Sequence, residues 1–276
     1  MNVFEYIERT ARAERKPRPK TYKPVDHIKQ NSKQDASYML GADTIRGCKN
    51  NCIACYANKL CAIAGVDHNK PVKCALTGKI TKGKMLRIGV VGDPATDWKH
   101  TQKEIQKVLK RSNCGADRVI YVTKLQKTAG LDPNLVKNMQ ISIDPLNPAH
   151  MEKTFQNIAK IKMQPGGDKI NMILRIRSYK SNNKDLARML ETAVNCSNAL
   201  KLPVLETRMR MPKKICNALS FDLKTYKKHG SSLKPQSGFL KNMAKHGYFL
   251  CDQNNKGCKA CGNCLRTAKV GGLTGF

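Results

Sequence analysis

Between residues 37 and 212 short apolar runs alternate with helical stripes, and few folds accommodate that rhythm. The runs at 38–45, 86–91, 118–123, 139–143, 172–177 and 204–209 are each of strand length. Between them, Ile105, Val108 and Leu109 form one stripe at helical spacing. Met151, Phe155, Ile158 and Ile161 form a second, and Leu186, Met189, Leu190, Ala193 and Val194 a third. Each stripe is a face that must pack on a sheet, and strands joined through helices run parallel. Polar residues gather where the runs end: Gly92 and Asp93, Thr123 and Lys124, Ser142 and Asp144, Arg177 and Ser178, Arg208 and Arg210. In parallel α/β folds the carboxyl ends of the strands build the functional site.

Charge sets the next constraint. The 276 residues hold 51 Lys and Arg against 20 Asp and Glu, a formal charge of +31. Self-repulsion at that level is relieved by a polyanion, and nucleic acid is the usual one. With 40% hydrophobic and 26% charged residues the chain is expected to fold around a core, which excludes wholesale disorder, collagen-like repeats and a disulfide miniprotein. It has no apolar run of about 18 residues, and its first twenty residues carry charge where a signal peptide is apolar, so a soluble, cytoplasmic protein is expected. Residues 1–36 read as a basic arm carrying Arg9, Arg12, Arg15, Lys16, Arg18, Lys20 and Lys23, with a short helix at 3–7; it is either a solvated tail or a nucleic-acid contact. Residues 213–276, in which only Asp222 and Asp252 answer a run of lysines, read as a separate basic, cysteine-rich module.

The 12 cysteines fall into two clusters and several isolated positions. In a reducing compartment clustered thiols hold metal or do redox chemistry more often than they form disulfides. Cys48, Cys52 and Cys55 lie at x3 and x2 spacing directly after an expected strand. Three thiolates on one loop can hold three irons of a cubane 4Fe-4S cluster and leave the fourth iron open. Cys61 could instead complete a zinc site or a closed cluster, and unliganded thiols are the third alternative. Cys251, Cys258, Cys261 and Cys264, at x6, x2 and x2 spacing, make a closed set of four, suited to a second iron-sulfur cluster or to structural zinc. Cys74, Cys114, Cys196 and Cys216 are isolated and read as small core side chains.

Cys48, Cys52 and Cys55 match the CxxxCxxC motif of the radical S-adenosylmethionine (SAM) superfamily, and Cys55-Tyr56-Ala57 resembles its spore-photoproduct-lyase-like branch. Ala54 stands where many members carry an aromatic residue; Tyr56 is the neighbouring ring. The segment from Gly89 to Asp97 resembles the glycine-acid stretch after the family's second strand, Val122-Thr123-Lys124 the end of its third, and Ile141 to Asp144 its serine-bearing fourth. The chain is also similar to phage proteins that join an early Cys-Tyr-Ala motif to a cysteine-rich tail, which would put it in the host cytoplasm. The resemblance covers about residues 38–211 and implies a partial (β/α)6 TIM-like barrel of class α/β, with the cysteine-rich tail as a C-terminal metal module. It implies an open iron that binds SAM, an electron donor, and cleavage to a 5'-deoxyadenosyl radical. Position by position it implies Gly92 and Asp93 near the methionine amino group or ribose, Ser142 and Asp144 near the ribose, and Arg175 or Arg177 near the carboxylate. Tyr56, Thr123 and Lys124 complete the implied SAM-binding set.

Lys213, Lys214, Lys224, Lys227, Lys228, Lys234 and Lys241 are interleaved with Phe221, Tyr226, Phe239 and Tyr248, a pattern in which cations position phosphates and rings stack on bases. The expected activity is therefore radical SAM chemistry on a nucleic-acid base, tRNA ahead of DNA. Two alternatives stand beside it: a non-enzymatic, metal-stabilised nucleic-acid-binding protein, and a radical enzyme acting on a protein or small molecule. Cys61, Cys114, Cys196 and Tyr121 are the candidate hydrogen-atom donors.

Overall fold

The computed structural model describes Ile28, residues 39–50, Cys52, Cys55, residues 67–229 and residues 232–251. Seven strands form one sheet: β1 (Met39–Ala42), β4 (Met85–Ile88), β5 (Val119–Thr123), β6 (Asn138–Ile143), β7 (Asn171–Ser178), β8 (Val204–Arg208) and β11 (Tyr248–Leu250), adjacent in that order. Every pairing in it is parallel. Two small ribbons lie outside it, β2 (Ile45–Arg46) with β3 (Val72–Lys73) and β9 (Tyr226–His229) with β10 (Ser232–Pro235). The helices are α1 (Trp98–Ser112), α2 (Pro148–Lys162), α3 (Lys184–Ala199) and the short α4 (Lys213–Ala218). The fold is thus α/β, a seven-stranded parallel sheet flanked by helices. No helix among the described residues is long and apolar enough to cross a membrane.

Each expected strand lies in the sheet, and each expected stripe is the packed face of a helix. Ile105 and Val108 of α1, Ile158 and Ile161 of α2, and Leu186, Leu190 and Val194 of α3 join Leu86, Ile88, Met139, Ile141, Leu174 and Ile176 in one core. These helices begin where a side chain accepts from the first turn: Asp97 from the His100 N–H, Asn147 from the His150 N–H, and Asn183 from those of Asp185 and Leu186. Alternation along the strands then sends Gln140, Ser142, Arg175, Arg177 and Thr207 to the opposite face, beside the apolar Met85, Ile120, Ile173 and Leu205.

Two expected strands are shorter than their apolar runs. The run at 38–45 breaks at Asp43 and Thr44, because Asp43 turns its carboxylate onto the N–H groups of Val90, Val91 and Gly92, and Ile45 then pairs with β3 instead. The run at 86–91 stops at Ile88 because Gly89 takes a φ of +94°, a region that favours glycine. The seventh strand, β11, comes from the lysine-rich segment after residue 212 and has only three residues. Glu206 of β8, fully buried, pins it in place: its carboxylate accepts from the Phe239 N–H at 2.8 Å, the Leu240 N–H at 3.1 Å and the Tyr248 hydroxyl at 2.6 Å.

Candidate functional site

Because the sheet is parallel, every strand delivers its last residues to one end, and the cysteine loop leaves β2 at that end. Asp93 is the hub that holds the loop there. It is buried at the end of the loop after β4, and its carboxylate accepts four hydrogen bonds: Thr123 Oγ1 at 2.6 Å, the Lys124 N–H at 3.0 Å, the Ala95 N–H at 3.0 Å and Asn50 Nδ2 at 2.9 Å. Asn50 lies between Cys48 and Cys52, so one carboxylate ties the loop to the ends of β4 and β5. Gly92, next to it, donates its N–H to Asp43 and passes so close to the Ile45 carbonyl that a Cβ would overlap it. Asp93 and Thr123 thus turn their polar groups on each other, and Gly92 turns its N–H on Asp43.

The three thiols are free and within electrostatic reach of each other. Burial pushes the Cys48 thiol well above its ordinary range, Asp93 adds to this, and the Asn50 N–H on its sulfur, at 3.4 Å, opposes it. Burial likewise raises Cys52, while the cations of Lys124 and Arg177 act against that rise and Asp144 acts with it. Among the described residues no group of three or more His, Cys, Asp or Glu is drawn into a metal-holding arrangement.

Cys52 thus shares its surroundings with a second cluster. Asp144 follows β6, Lys124 follows β5 and Arg177 lies on β7, three neighbouring strands. The Asp144 carboxylate is 3.6 Å from Arg177 Nη1 and 3.9 Å from Lys124 Nζ. Both of its oxygens are buried without a hydrogen bond, as are Lys124 Nζ and Arg175 Nε, and Arg175 lies beside Ser142 in register. Most buried polar atoms in proteins find a partner; four atoms without one, from three neighbouring strands, mark an unsaturated polar spot toward the carboxyl end of the sheet. Comparison with family models, curated proteins and solved structures gives no match.

Of the residues that sequence reasoning assigned to this site, Cys48, Cys52, Cys55, Gly92, Asp93, Thr123, Lys124, Ser142, Asp144, Arg175 and Arg177 all stand at the carboxyl end of the sheet. Tyr56, Cys61, Cys258, Cys261 and Cys264 lie outside the described residues, as does the basic arm apart from Ile28. Cys251 is half-buried and its N–H donates to the Glu206 carbonyl at the edge of the sheet. Two groups of expectations need correction. Tyr121 packs edge-on against Trp98 on the helix-covered face, while Cys114 follows the end of α1 and Cys196 sits in α3, so none of the three faces the cysteine loop. Of the rings expected to stack on bases, Phe221 and Tyr226 are buried and stacked with Tyr179 in series, and Phe239 and Tyr248 pack against the core. Lys234, 3% exposed, is likewise withdrawn from any phosphate, whereas Lys213, Lys214, Lys224, Lys227, Lys228 and Lys241 are exposed.

Sequence reasoning missed Asp43, Asn50 and His68, whose ring nitrogen Nε2 lies 3.9 Å from Cys55 Sγ. Asp43 carried a usable signal, an acid interrupting an otherwise apolar run. Asn50 and His68 had none, because their roles arise only from the closing of the loops.

Proposed function

We propose that this protein is a radical SAM enzyme that binds an iron-sulfur cluster through Cys48, Cys52 and Cys55 and modifies or repairs a nucleic-acid base, tRNA in preference to DNA. The observation that carries the reading is the meeting of this cysteine triplet with unsaturated, oppositely charged groups at the carboxyl end of a parallel sheet. The donor set fits: three thiols from one loop leave one iron without a protein ligand. When bound, the cluster and SAM together supply a 5'-deoxyadenosyl radical. The chain's own groups suit an amino-acid ligand: Asp144 accepts from an ammonium, and Lys124, Arg175 and Arg177 donate to a carboxylate. Asp93 and Asn50 hold the loop in place, and burial of the Cys48 and Cys52 thiols keeps those two protonated until a cation displaces the protons. In this reading the sheet is a partial TIM-like barrel, and Cys251, Cys258, Cys261 and Cys264 hold a second iron-sulfur cluster or structural zinc.

Anaerobic reconstitution followed by reduction with SAM present tests this. The protein is expected to take up iron and sulfide and to release 5'-deoxyadenosine, and Cys52→Ala is expected to abolish that release while the circular-dichroism spectrum is unchanged. Undiminished release by the variant removes the assignment.

The formal charge of +31 and the six exposed lysines support a nucleic-acid substrate. Lys227 and Lys228 sit on the β9–β10 ribbon, away from the cysteine loop in sequence and in sheet. Reversing both to Glu is expected to weaken RNA binding and to flatten the log–log salt slope by roughly 1.4, about 0.7 for each lost phosphate contact on a single strand. Binding that ignores both salt and the reversal returns the substrate to proteins and small molecules.

A further inference from the structure

The cysteine loop has a neighbour that its spacing does not announce. His68 lies in a tight turn in which the Asn69 N–H donates to Asp67 Oδ1 at 3.0 Å and the Lys70 N–H to the Asp67 carbonyl at 3.2 Å. The turn is fastened to the start of the cysteine loop, since the Cys48 N–H donates to the His68 carbonyl at 2.7 Å. Gly47, with φ +90°, lets that carbonyl approach, because a Cβ there would stand 2.8 Å from it. At the other end of the triplet the His68 ring, 7% exposed, brings Nε2 to 3.9 Å from Cys55 Sγ. One residue thus touches both the first and the third cysteine, through its backbone and its ring respectively.

We propose that His68 is a positioning residue of the metal centre, donating its Nε2–H to the sulfur of Cys55. A metal-bound thiolate carries no proton and can only accept, so the ring nitrogen facing it must be the donor. Hydrogen bonds to cluster sulfurs offset their negative charge and favour the reduced state, which raises the reduction potential. This rests on the iron-sulfur reading above, and the assay separates the two.

Wild-type protein, His68→Leu and His68→Gln are reconstituted anaerobically and compared for iron and sulfide per chain, electron paramagnetic resonance of the reduced form, and midpoint potential. All three are expected to load equally. His68→Leu, which removes the donor, is expected to move the potential to a more negative value and to shift the resonance, and His68→Gln, which keeps an N–H, to recover part of both shifts. Loading lost in His68→Leu and restored in His68→Gln also supports the donor role. An unmoved potential and spectrum in His68→Leu overturns it, and loss of the cluster in both variants overturns it by making His68 a ligand. A wild-type protein that takes up no iron removes the underlying reading before any variant is compared.

Discussion

Glu206 and Asp144 are buried acids of one sheet, yet they are held in opposite ways. Glu206, on β8 near the edge, is fully buried and accepts two backbone N–H groups and a tyrosine hydroxyl. Asp144, after β6 near the centre, is 3% exposed and has two cations beside it but no hydrogen bond to either oxygen. The first arrangement fixes a segment of chain: Glu206 holds Phe239, Leu240 and Tyr248 against β8. The second fixes little and leaves strong acceptors and donors facing one another at distances beyond a hydrogen bond. A saturated carboxylate marks architecture, and an unsaturated one among cations marks a place where a ligand's charges can be received. Asp93 belongs with Glu206 by this measure, since its four donors are all internal.

The contrast breaks most visibly at Glu206. Glu206→Ala strands three donors, one buried and two part-buried, at about 1–3 kcal/mol for each buried one, so urea denaturation is expected to show a loss of about 4 kcal/mol. Glu206→Gln keeps one acceptor oxygen and is expected to lose about half as much. A loss in the alanine variant below about 1 kcal/mol would show that saturation does not mark architecture here.

Asp43 sharpens the contrast, because it is saturated yet strained by burial. Its oxygens accept from Val90, Val91 and Gly92, but desolvation outweighs those bonds and the Arg87 charge and pushes its pKa from 3.8 up to about 6. The folded protein therefore binds this proton more tightly than the unfolded chain. Stability from this group is fully present below about pH 4 and is lost as pH rises through about 6, by about 3 kcal/mol for two units. Asp43→Asn keeps an oxygen for all three N–H groups and has no proton to lose. The difference in urea midpoint between variant and wild type is expected to swing in the variant's favour from pH 4 to pH 7, and a flat difference would mean that the three N–H groups win after all.

How much of this was legible in the sequence follows from the range of each interaction. Six strands and three helices were readable because their signals are local: apolar runs end at polar clusters, and stripes recur at helical spacing. The seventh strand was not, because Tyr248-Phe249-Leu250 is too short to show alternation and owes its place to Glu206, more than forty residues earlier. The gathering of Lys124, Asp144 and Arg177 was foreshadowed by their shared position at strand ends, which a parallel sheet converts into adjacency. The rings Phe221 and Tyr226 misled because an aromatic among lysines has the same sequence signature whether it faces a base or a core. His68 was invisible for another reason: its link to Cys55 spans thirteen residues and no periodicity.

The smallest expected effect on stability falls at Asp144, and it is the one that separates the two kinds of carboxylate. Asp144→Asn removes a charge but breaks no hydrogen bond; water can reach the Arg177 side chain, which retains 21% exposure, whereas Lys124 Nζ is buried. The variant is expected to lose about 2 kcal/mol, between the scale of an exposed ion pair and that of a fully buried one, and short of the Glu206→Ala loss. Its loss of ligand response should be larger. A ligand at one hundred times its dissociation constant stabilises the folded state by about 2.7 kcal/mol, so SAM is expected to raise the denaturation midpoint of the reconstituted wild type and of Glu206→Gln alike. In Asp144→Asn that rise should shrink or vanish at the same SAM concentration, because the negative charge that would pair with the ligand's ammonium is gone. An Asp144→Asn protein as unstable as Glu206→Ala would place Asp144 among the architectural acids. A variant that keeps the full SAM-linked rise would show that the unsaturated cluster receives no ligand.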